Sequence, residues 1–268
     1  GFWKLGSWYR GLGLVPRSSL DAQWTARIKK LQAWIKQKPK SITAHIALAR
    51  AYHDGAYRAR GGGWADSVSD AQWKLMYTRL EQATSVLAKV KAQRTLCPGW
   101  YAAALRIAKL QNWDRADFTG LANEGLRYFP QYHDFHYSMV EYLLPRWFGL
   151  PGDWEKYAEN AAKRVRGEAS DILYARIVYS LQLSLSDVFG ESNISWDRAK
   201  RGYAALLKHY PRAIGIANGY AQLAAHAKDR ELTKTVLEKY VKNRMDPEIW
   251  ASEQDFIETR NWAYGTNN

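Results

Sequence analysis

Residues 39–52, Pro-Lys-Ser-Ile-Thr-Ala-His-Ile-Ala-Leu-Ala-Arg-Ala-Tyr, decide the fold class of this 268-residue chain. The stretch consists of a proline, a short spacer, and then apolar, small and aromatic residues at helical spacing. The same pattern follows Pro98, Pro130 and Pro211. Since recurrence of one helical unit is typical of stacked helix pairs, we predict an all-α fold, a right-handed helical-repeat stack of about 12 helices with loop insertions.

The domain organisation follows from the extent of this helical pattern. We expect a single helical-repeat domain over residues 19–268, preceded by a flexible or juxtamembrane-like segment over residues 1–18. Ser18 or Ser19, Ser41 and Ser195 are predicted to cap the starts of three helices. Gly55 predicts that the helix after Ser41 ends near His53, with a loop up to residue 69.

Positive charge is concentrated at one end of the chain. Residues 1–60 contain twelve Lys and Arg but only Asp21 and Asp54 as acids, so they carry +10 of the net charge of +13. This distribution indicates contact between that end and something acidic. Binding of nucleic acid or of an anionic membrane through residues 1–60 is therefore an alternative function.

Motifs for catalysis or metal binding are missing from the sequence. Cys97 is the single cysteine, which excludes an intrachain disulfide and a cysteine-based zinc site. His133 and His136 are spaced to share a helix face, but the sequence offers no third metal ligand nearby. We find no nucleophile elbow, zinc-protease motif or dinucleotide fingerprint, so we expect no catalytic residues, cofactor or metal. An uncharacterised enzyme remains a second alternative.

The cellular location stays open at this level. No apolar run reaches the roughly 18 residues that cross a bilayer. Residues 1–14 mix aromatic residues, cations and glycines, a composition common beside a membrane anchor. We therefore expect a protein that is either cytoplasmic or attached to the envelope through an N-terminal anchor, with the oligomeric state undetermined.

The spacing of small and aromatic residues resembles that of tetratricopeptide repeats. Counting from the third residue after Pro39, Leu48, Ala49 and Tyr52 occupy the positions where these repeats carry a leucine, a small residue and a tyrosine. The other repeats match this pattern poorly. The chain is thus tetratricopeptide-like and contains no set of regular repeats.

A more specific resemblance covers roughly residues 45–180. It rests on residues 59–64 (Ala-Arg-Gly-Gly-Gly-Trp), residues 144–154 (Leu-Pro-Arg-Trp-Phe-Gly-Leu-Pro-Gly-Asp-Trp) and residues 171–176 (Asp-Ile-Leu-Tyr-Ala-Arg). These segments are similar to a bacterial family of tetratricopeptide-like proteins known as a domain of unknown function. The resemblance implies a bacterial origin and a helical-repeat fold, and it supplies no activity and no site residues.

A concave face is the first candidate binding site, because in such a stack the first helix of each pair lines it. Arg50 and Lys109 are predicted to meet an acidic side chain or a C-terminal carboxylate, while apolar positions hold apolar groups. The predicted partner-binding residues of this face are Ile46, Arg50, His53, Leu105, Lys109, Asn112, Tyr137 and Glu141.

Two loops are further candidates for partner binding. Arg58, Arg60 and Trp64 flank the Gly61–Gly63 run, and arginine together with tryptophan is favoured in binding hot spots. Trp147 lies between two prolines and predicts either an exposed docking tip or a loop folded back and buried, with burial favoured.

The leading interpretation is a non-catalytic protein–protein interaction module or scaffold. It would bind a protein or peptide partner on its concave helical surface, and the basic residues there favour an acidic one.

Overall fold

The computed structural model describes residues 4–13, 21–182, 184–185 and 187–266. Within these ranges the chain is all-helical and contains no β-strand, as predicted. The α-helices are α1 (Lys4–Gly13), α2 (Asp21–Gln37), α3 (Ile42–Arg60), α4 (Asp70–Ala88), α5 (Pro98–Leu110), α6 (Arg115–Tyr128), α7 (Asp134–Tyr142), α8 (Asp153–Lys163), α9 (Glu168–Ser180), α10 (Trp196–His209), α11 (Ile214–His226), α12 (Arg230–Val236) and α13 (Glu253–Tyr264). Short 3₁₀ segments span Ala65–Ser67 and Lys91–Leu96, and a π-helical turn, Leu237–Val241, follows α12.

The chain forms two compact units, an N-terminal unit of residues 2–138 and a C-terminal unit from residue 139 onward. Each unit contains buried apolar residues of its own, such as Leu80 in the first and Ile177 in the second. The prediction of one continuous repeat domain over residues 19–268 stays a prediction.

Local capping explains where several helices begin. The Ser41 side chain accepts a hydrogen bond from the Ala44 amide at the start of α3, and Ser195 caps α10 in the same way, as predicted. Ser69 and Gln72 form a reciprocal capping box at α4. These bonds satisfy amides that have no partner inside the helix, so the sequence fixes these boundaries locally.

Helix α3 continues through Gly55 to Arg60, so the prediction that it ends near His53 is wrong. The reason is a tertiary contact: a Cβ atom on Gly55 would lie 2.5 Å from the Trp24 ring. The Trp24 indole nitrogen also donates to the Ala51 carbonyl, and Arg79 donates to the Gly55 carbonyl at 2.6 Å. Glycine therefore admits an indole against the helix, and this packing outweighs its low helix propensity.

Helix α3 is the centre of the N-terminal unit and contacts α1, α2, α4 and α5. Small residues such as Ala44, Ala47 and Ala51 are fully buried along it and allow the surrounding helices to approach closely. Eleven of its nineteen residues are buried. Polar side chains on α3 are consequently drawn into the interior with the apolar ones.

Residues 4–13 form helix α1 and pack against α3 and α5, where the sequence predicts a flexible or juxtamembrane-like segment. Leu5, Trp8, Tyr9 and Leu12 follow helical spacing in this segment. Tyr9 is 1% exposed. Ser18 and Ser19, candidates for the cap of α2, lie outside the described residues.

In the C-terminal unit, the Asn218 side chain on α11 joins three segments of chain. Its amide nitrogen donates to the carbonyls of Ile214 and Arg244, both at 3.0 Å. Its oxygen accepts from the Trp250 indole at 2.8 Å and from the Asp246 amide at 3.3 Å. Asn218 is fully buried, so this one side chain satisfies four polar groups away from water.

Helices α9 and α10 approach each other unusually closely in the same unit. A Cβ atom on Gly202 would lie 2.1 Å from the carbonyl oxygen of Asp171, which leaves no room for any side chain. Arg198 on α10 donates to the Asp171 carboxylate at 2.9 Å, to Glu159 at 2.7 Å and to Ser170 at 2.8 Å. These half-buried ion pairs thus stabilise the close packing of α9 and α10 that Gly202 allows.

We predict that Asn218→Ala lowers the free energy of unfolding by about 3 kcal/mol, because it leaves buried donors and acceptors without partners. Urea denaturation monitored by circular dichroism measures this change. Asn123→Ala, at an exposed position of α6, is the matched control and should cost less than about 0.5 kcal/mol. Equal losses in the two variants would contradict the assigned role of Asn218.

Candidate binding site

The strongest candidate site is a group of basic side chains on the facing helices α3 and α5. Arg50 and His53 are three residues apart on α3, and Arg106 and Lys109 have the same spacing on α5, so each pair shares one helix face. Arg106 acts electrostatically on both Arg50 and His53, and Lys109 acts on His53, which places the two faces together. We call Arg50, His53, Arg106 and Lys109 the cationic cluster.

Arg50 is the central charge of the cationic cluster. Its side chain makes no hydrogen bond and no ion pair with any residue that the structure describes. Burial of the guanidinium and repulsion from Arg106 lower its pKa to about 10, although Asp54 opposes the shift. A desolvated guanidinium without a direct counterion is costly, because arginine stays protonated at neutral pH.

His53 lies beside Arg50 and is 5% exposed. Its Nδ1 atom is 3.1 Å from an Asp54 carboxylate oxygen, so Nδ1 carries the proton and donates. Nε2 is buried without a hydrogen-bond partner among the described residues. Burial holds the pKa of His53 below its ordinary value, with repulsion from Arg106 and Lys109 acting in the same direction. The neutral ring therefore presents an unused polar atom within the cluster.

Two further residues border the cluster at the start of α7: Tyr132, just before the helix, and Asp134, its first residue. Tyr132 is fully buried, and the Asp134 carboxylate lies beside its hydroxyl. Burial and Asp134 raise the pKa of Tyr132, while Arg50 and Arg106 pull it down. The acids near the cluster are thus Asp54 and Asp134, and Asp54 already accepts a hydrogen bond from His53.

The other residues predicted for the concave face do not form one exposed surface. Ile46 and Leu105 are fully buried in the core, because α3 and α5 are each contacted by four other helices. Asn112 is exposed just beyond the end of α5, Tyr137 is half-buried, and Glu141 is half-buried in the C-terminal unit. Of the eight predicted residues, the structure brings together Arg50, His53 and Lys109.

Arg106 is a site residue that the sequence reasoning missed. The repeat register assigned the exposed position to Leu105, whereas Arg106 is exposed and Leu105 is not. The signal was present in the sequence, since Arg106 precedes Lys109 by three residues just as Arg50 precedes His53. Pairing these two spacings would have identified the cluster.

The predicted loop residues occupy different environments. Arg60 donates to the Gly63 carbonyl at 3.0 Å and lies over the Trp73 ring, so its guanidinium closes its own loop. Arg58 pairs with Asp21 at 3.5 Å. Trp64 is 85% exposed, which makes it accessible to a partner.

Trp147 is half-buried, so it is neither the exposed docking tip nor the fully buried residue that the sequence left open. Its ring lies at a tilt against that of Phe148, with the two centroids 6.4 Å apart. Leu150, further along the same connection, is 69% exposed.

Each unit also contains a surface pocket. The first, of about 480 Å³, lies between α2, α3 and α4 and is lined by residues such as Gln32, His45 and Tyr52. These polar groups are already bonded: Gln32 donates to the Tyr52 hydroxyl, and His45 bonds the Ser41 carbonyl. The second, of about 770 Å³, is lined by Trp154, Glu155 and neighbouring loops. Neither pocket includes a member of the cationic cluster.

Metal-binding and membrane-spanning features were sought in the part of the chain that the structure describes. It contains no group of three or more His, Cys, Asp or Glu side chains placed to hold a metal ion. The rings of His133 and His136 lie 6.4 Å apart. None of the described helices is both long enough and apolar enough to cross a bilayer.

Part of the chain matches a known protein family. Residues 14–116 match the sequence model of a family described as Domain of unknown function (DUF4034), which confirms the resemblance to a family of unknown function. The match includes residues 59–64 but not residues 144–154 or 171–176. No curated protein and no solved structure matches the chain. All four members of the cationic cluster lie within the matched range.

We predict that acidification destabilises the protein partly through His53. Its pKa is lower in the folded state than in the unfolded state, so the unfolded chain binds more protons and stability falls as the pH drops below about 6.5. His53→Gln should reduce this dependence by up to about 1.4 kcal/mol per pH unit. Urea denaturation between about pH 5 and pH 8 measures the slope.

His209→Gln is the control for this measurement. His209 is exposed and pairs with Glu168 in the C-terminal unit, so its removal should leave the part of the slope due to His53 in place. Identical slopes in the wild type and in His53→Gln would contradict a depressed pKa at His53.

Proposed function

We propose that this protein is a non-catalytic interaction module that binds an acidic group of a protein or peptide partner at the cationic cluster. The observation that carries this proposal is Arg50, a desolvated guanidinium without a direct counterion among the described residues. A carboxylate that approached Arg50 and Arg106 would form charge-assisted hydrogen bonds and remove the repulsion between them.

The chemistry of the cluster favours a carboxylate over a neutral ligand. Guanidinium groups offer paired donors that match a carboxylate, and water competes little with these bonds once the group is desolvated. A bound carboxylate would also favour the protonated form of His53, which would turn its unpartnered Nε2 into a further donor.

The arrangement of helices supports a repeat-type binding scaffold. Leu48, Ala49 and Tyr52, which match the tetratricopeptide pattern, are all buried, as are Ala199 and Tyr203 on α10. We infer a tetratricopeptide-like stack whose first helices carry the partner site, with α3 and α5 contributing the cluster. Proteins built this way commonly present side chains to peptides from consecutive helices.

We predict that Arg50→Gln weakens binding of an acidic peptide by on the order of thirtyfold, because losing one member of a desolvated charge pair costs about 2 kcal/mol or more. Arg106→Gln should weaken binding by only about twofold to fivefold, because Arg106 is exposed to solvent. The measurement screens acidic peptides against the chain, each paired with an isosteric Asn/Gln version. Fluorescence anisotropy of the best binder then gives the affinity of each variant.

The matched control is Arg166→Gln, which removes the same charge at an exposed position of the C-terminal unit. It should leave the affinity within about twofold. The proposal is wrong if no acidic peptide binds better than its neutral counterpart, or if Arg166→Gln weakens binding as much as Arg50→Gln does.

A second candidate function is binding of nucleic acid or of an anionic membrane through the basic N-terminal residues. Helix α2 favours it, since Ile28 and Leu31 are its buried residues while Lys29, Lys30 and Lys36 are exposed. An outward row of lysines is the electrostatic form that phosphate groups bind.

For this second candidate we predict steep salt dependence with a single-stranded oligonucleotide. Replacing both Lys29 and Lys30 by Gln should reduce the slope of log affinity against log salt by about 1.4, since each contact contributes about 0.7. A matched pair of changes at Lys156 and Lys163, exposed on α8, should leave the slope unchanged. Weak binding with equal slopes in both double variants would exclude α2 as the contact surface.

A further inference from the structure

Helix α1 is seated on α3 and α5 next to the cationic cluster. The Tyr9 hydroxyl forms a hydrogen bond with the Cys97 sulfur at 3.4 Å, and the Thr43 side chain and Arg50 lie near it. The Tyr9 ring lies against Gly99, where a Cβ atom would be 2.6 Å from the ring carbon Cε2. Tyr9 therefore fills a pocket shaped for an aromatic ring with a polar group at its tip.

A second contact involves Gly6, near the other end of α1. A Cβ atom on Gly6, three residues before Tyr9, would lie 3.3 Å from the Asp134 carboxylate and 3.7 Å from the Tyr132 hydroxyl. Tyr132 and Asp134 are the residues that border the cluster. Helix α1 thus contacts Gly99 through Tyr9 and the Tyr132–Asp134 pair through Gly6, and Arg50 acts electrostatically on the Tyr9 hydroxyl.

Helix α1 is held on this surface by few stabilising interactions. It has ten residues, and its interior glycines, Gly6 and Gly11, each cost up to about 1 kcal/mol relative to alanine. A helix this short is marginal without tertiary contacts. Among its described side chains, Tyr9 alone is fully buried, and Trp8 is 49% exposed. Few buried contacts mean a low free energy of local opening.

Helix α1 supplies no carboxylate to the cationic cluster, because its sequence contains none. Arg50 acts electrostatically on the Tyr9 hydroxyl and has no direct counterion among the described residues. An amphipathic helix that carried a carboxylate near this position would offer Arg50 a counterion.

We propose that the surface beneath α1, formed by α3, residues 97–99 and Tyr132, docks an acidic amphipathic helix of a partner protein that carries a tyrosine anchor, and that α1 occupies this surface until the partner displaces it. That the partner helix is acidic rests on the proposed function. That it is a helix with a tyrosine is inferred from the way α1 and Tyr9 cover this surface. Tyrosine fits because its ring packs on Gly99 while its hydroxyl reaches Cys97. This is recognition of a helix in a groove, with one deep anchor and flanking charges.

The test uses the full chain with Tyr9→Ala, which vacates the pocket. Cys97 is the single thiol of the chain, and its reaction rate with a thiol reagent reports whether the pocket is covered. The probes are three synthetic peptides of residues 1–13: the native sequence, an acidic version with Lys4→Glu and Arg10→Glu, and the acidic version with Tyr9→Ala as well. We expect the acidic peptide to slow the reaction on the order of tenfold at a concentration where the native peptide has little effect.

Two variants of the protein make the result specific. Gly99→Ala, added to Tyr9→Ala, fills the pocket with one methyl group and should abolish protection by every peptide. Arg50→Gln, added instead, should remove the preference for the acidic peptide but keep the dependence on tyrosine. An unchanged preference in Arg50→Gln would count against the proposed function, whereas protection that does not depend on tyrosine would overturn the docking site.

A second measurement needs no change to the protein. In the wild-type chain, saturating acidic peptide should raise the hydrogen-exchange rate of the α1 amides on the order of tenfold, because the partner helix displaces α1. The exchange of α9 in the other unit serves as the reference and should not change. If α1 keeps its protection while the peptide is bound, displacement is excluded and the proposal fails.

Discussion

The N-terminal unit depends on the enclosure of one helix by four others. Helix α3 can accept α1, α2, α4 and α5 because five of its eleven buried residues are alanine, and because Gly55 leaves room for the Trp24 ring. Close approach of backbones gives dense packing without long apolar side chains. The same enclosure desolvates whatever polar residues α3 carries. The desolvation of Arg50 and His53 therefore follows from the packing of the other helices around α3.

Local signals in the sequence predicted several helix starts. Ser41 and Ser195 cap α3 and α10 as predicted, because a serine before an apolar helical pattern accepts a hydrogen bond from an amide of the first turn. Gly55 was misjudged, because its cost to the helix is local while the compensating Trp24 contact comes from another helix. Burial of Ile46 and Leu105 was missed for the same reason, since no repeat register includes the helix α1 that packs on both α3 and α5.

The basic character of the candidate site was predictable from the sequence, but only some of its residues were. Arg50 and Lys109 were recognised as basic residues on facing helices, which their repeat positions indicate. The pairing of Arg106 with Arg50 depends on the rotation of α5, which a shift of one residue changes by about 100°. That Arg50 has no direct counterion among the described residues is a property of the folded chain, and no pattern in the sequence could reveal it.

The contact between Gly202 and the Asp171 carbonyl has a consequence for recognising relatives of the C-terminal unit. A carbonyl 2.1 Å from where a Cβ atom would lie tolerates no other residue type unless α9 and α10 separate. Separation would in turn break the bonds of Arg198 to Asp171 and Ser170. A glycine four residues after an arginine, about 30 residues beyond an aspartate, is thus a signature of this helix pair. It offers a search pattern for a region that lies outside the family match at residues 14–116.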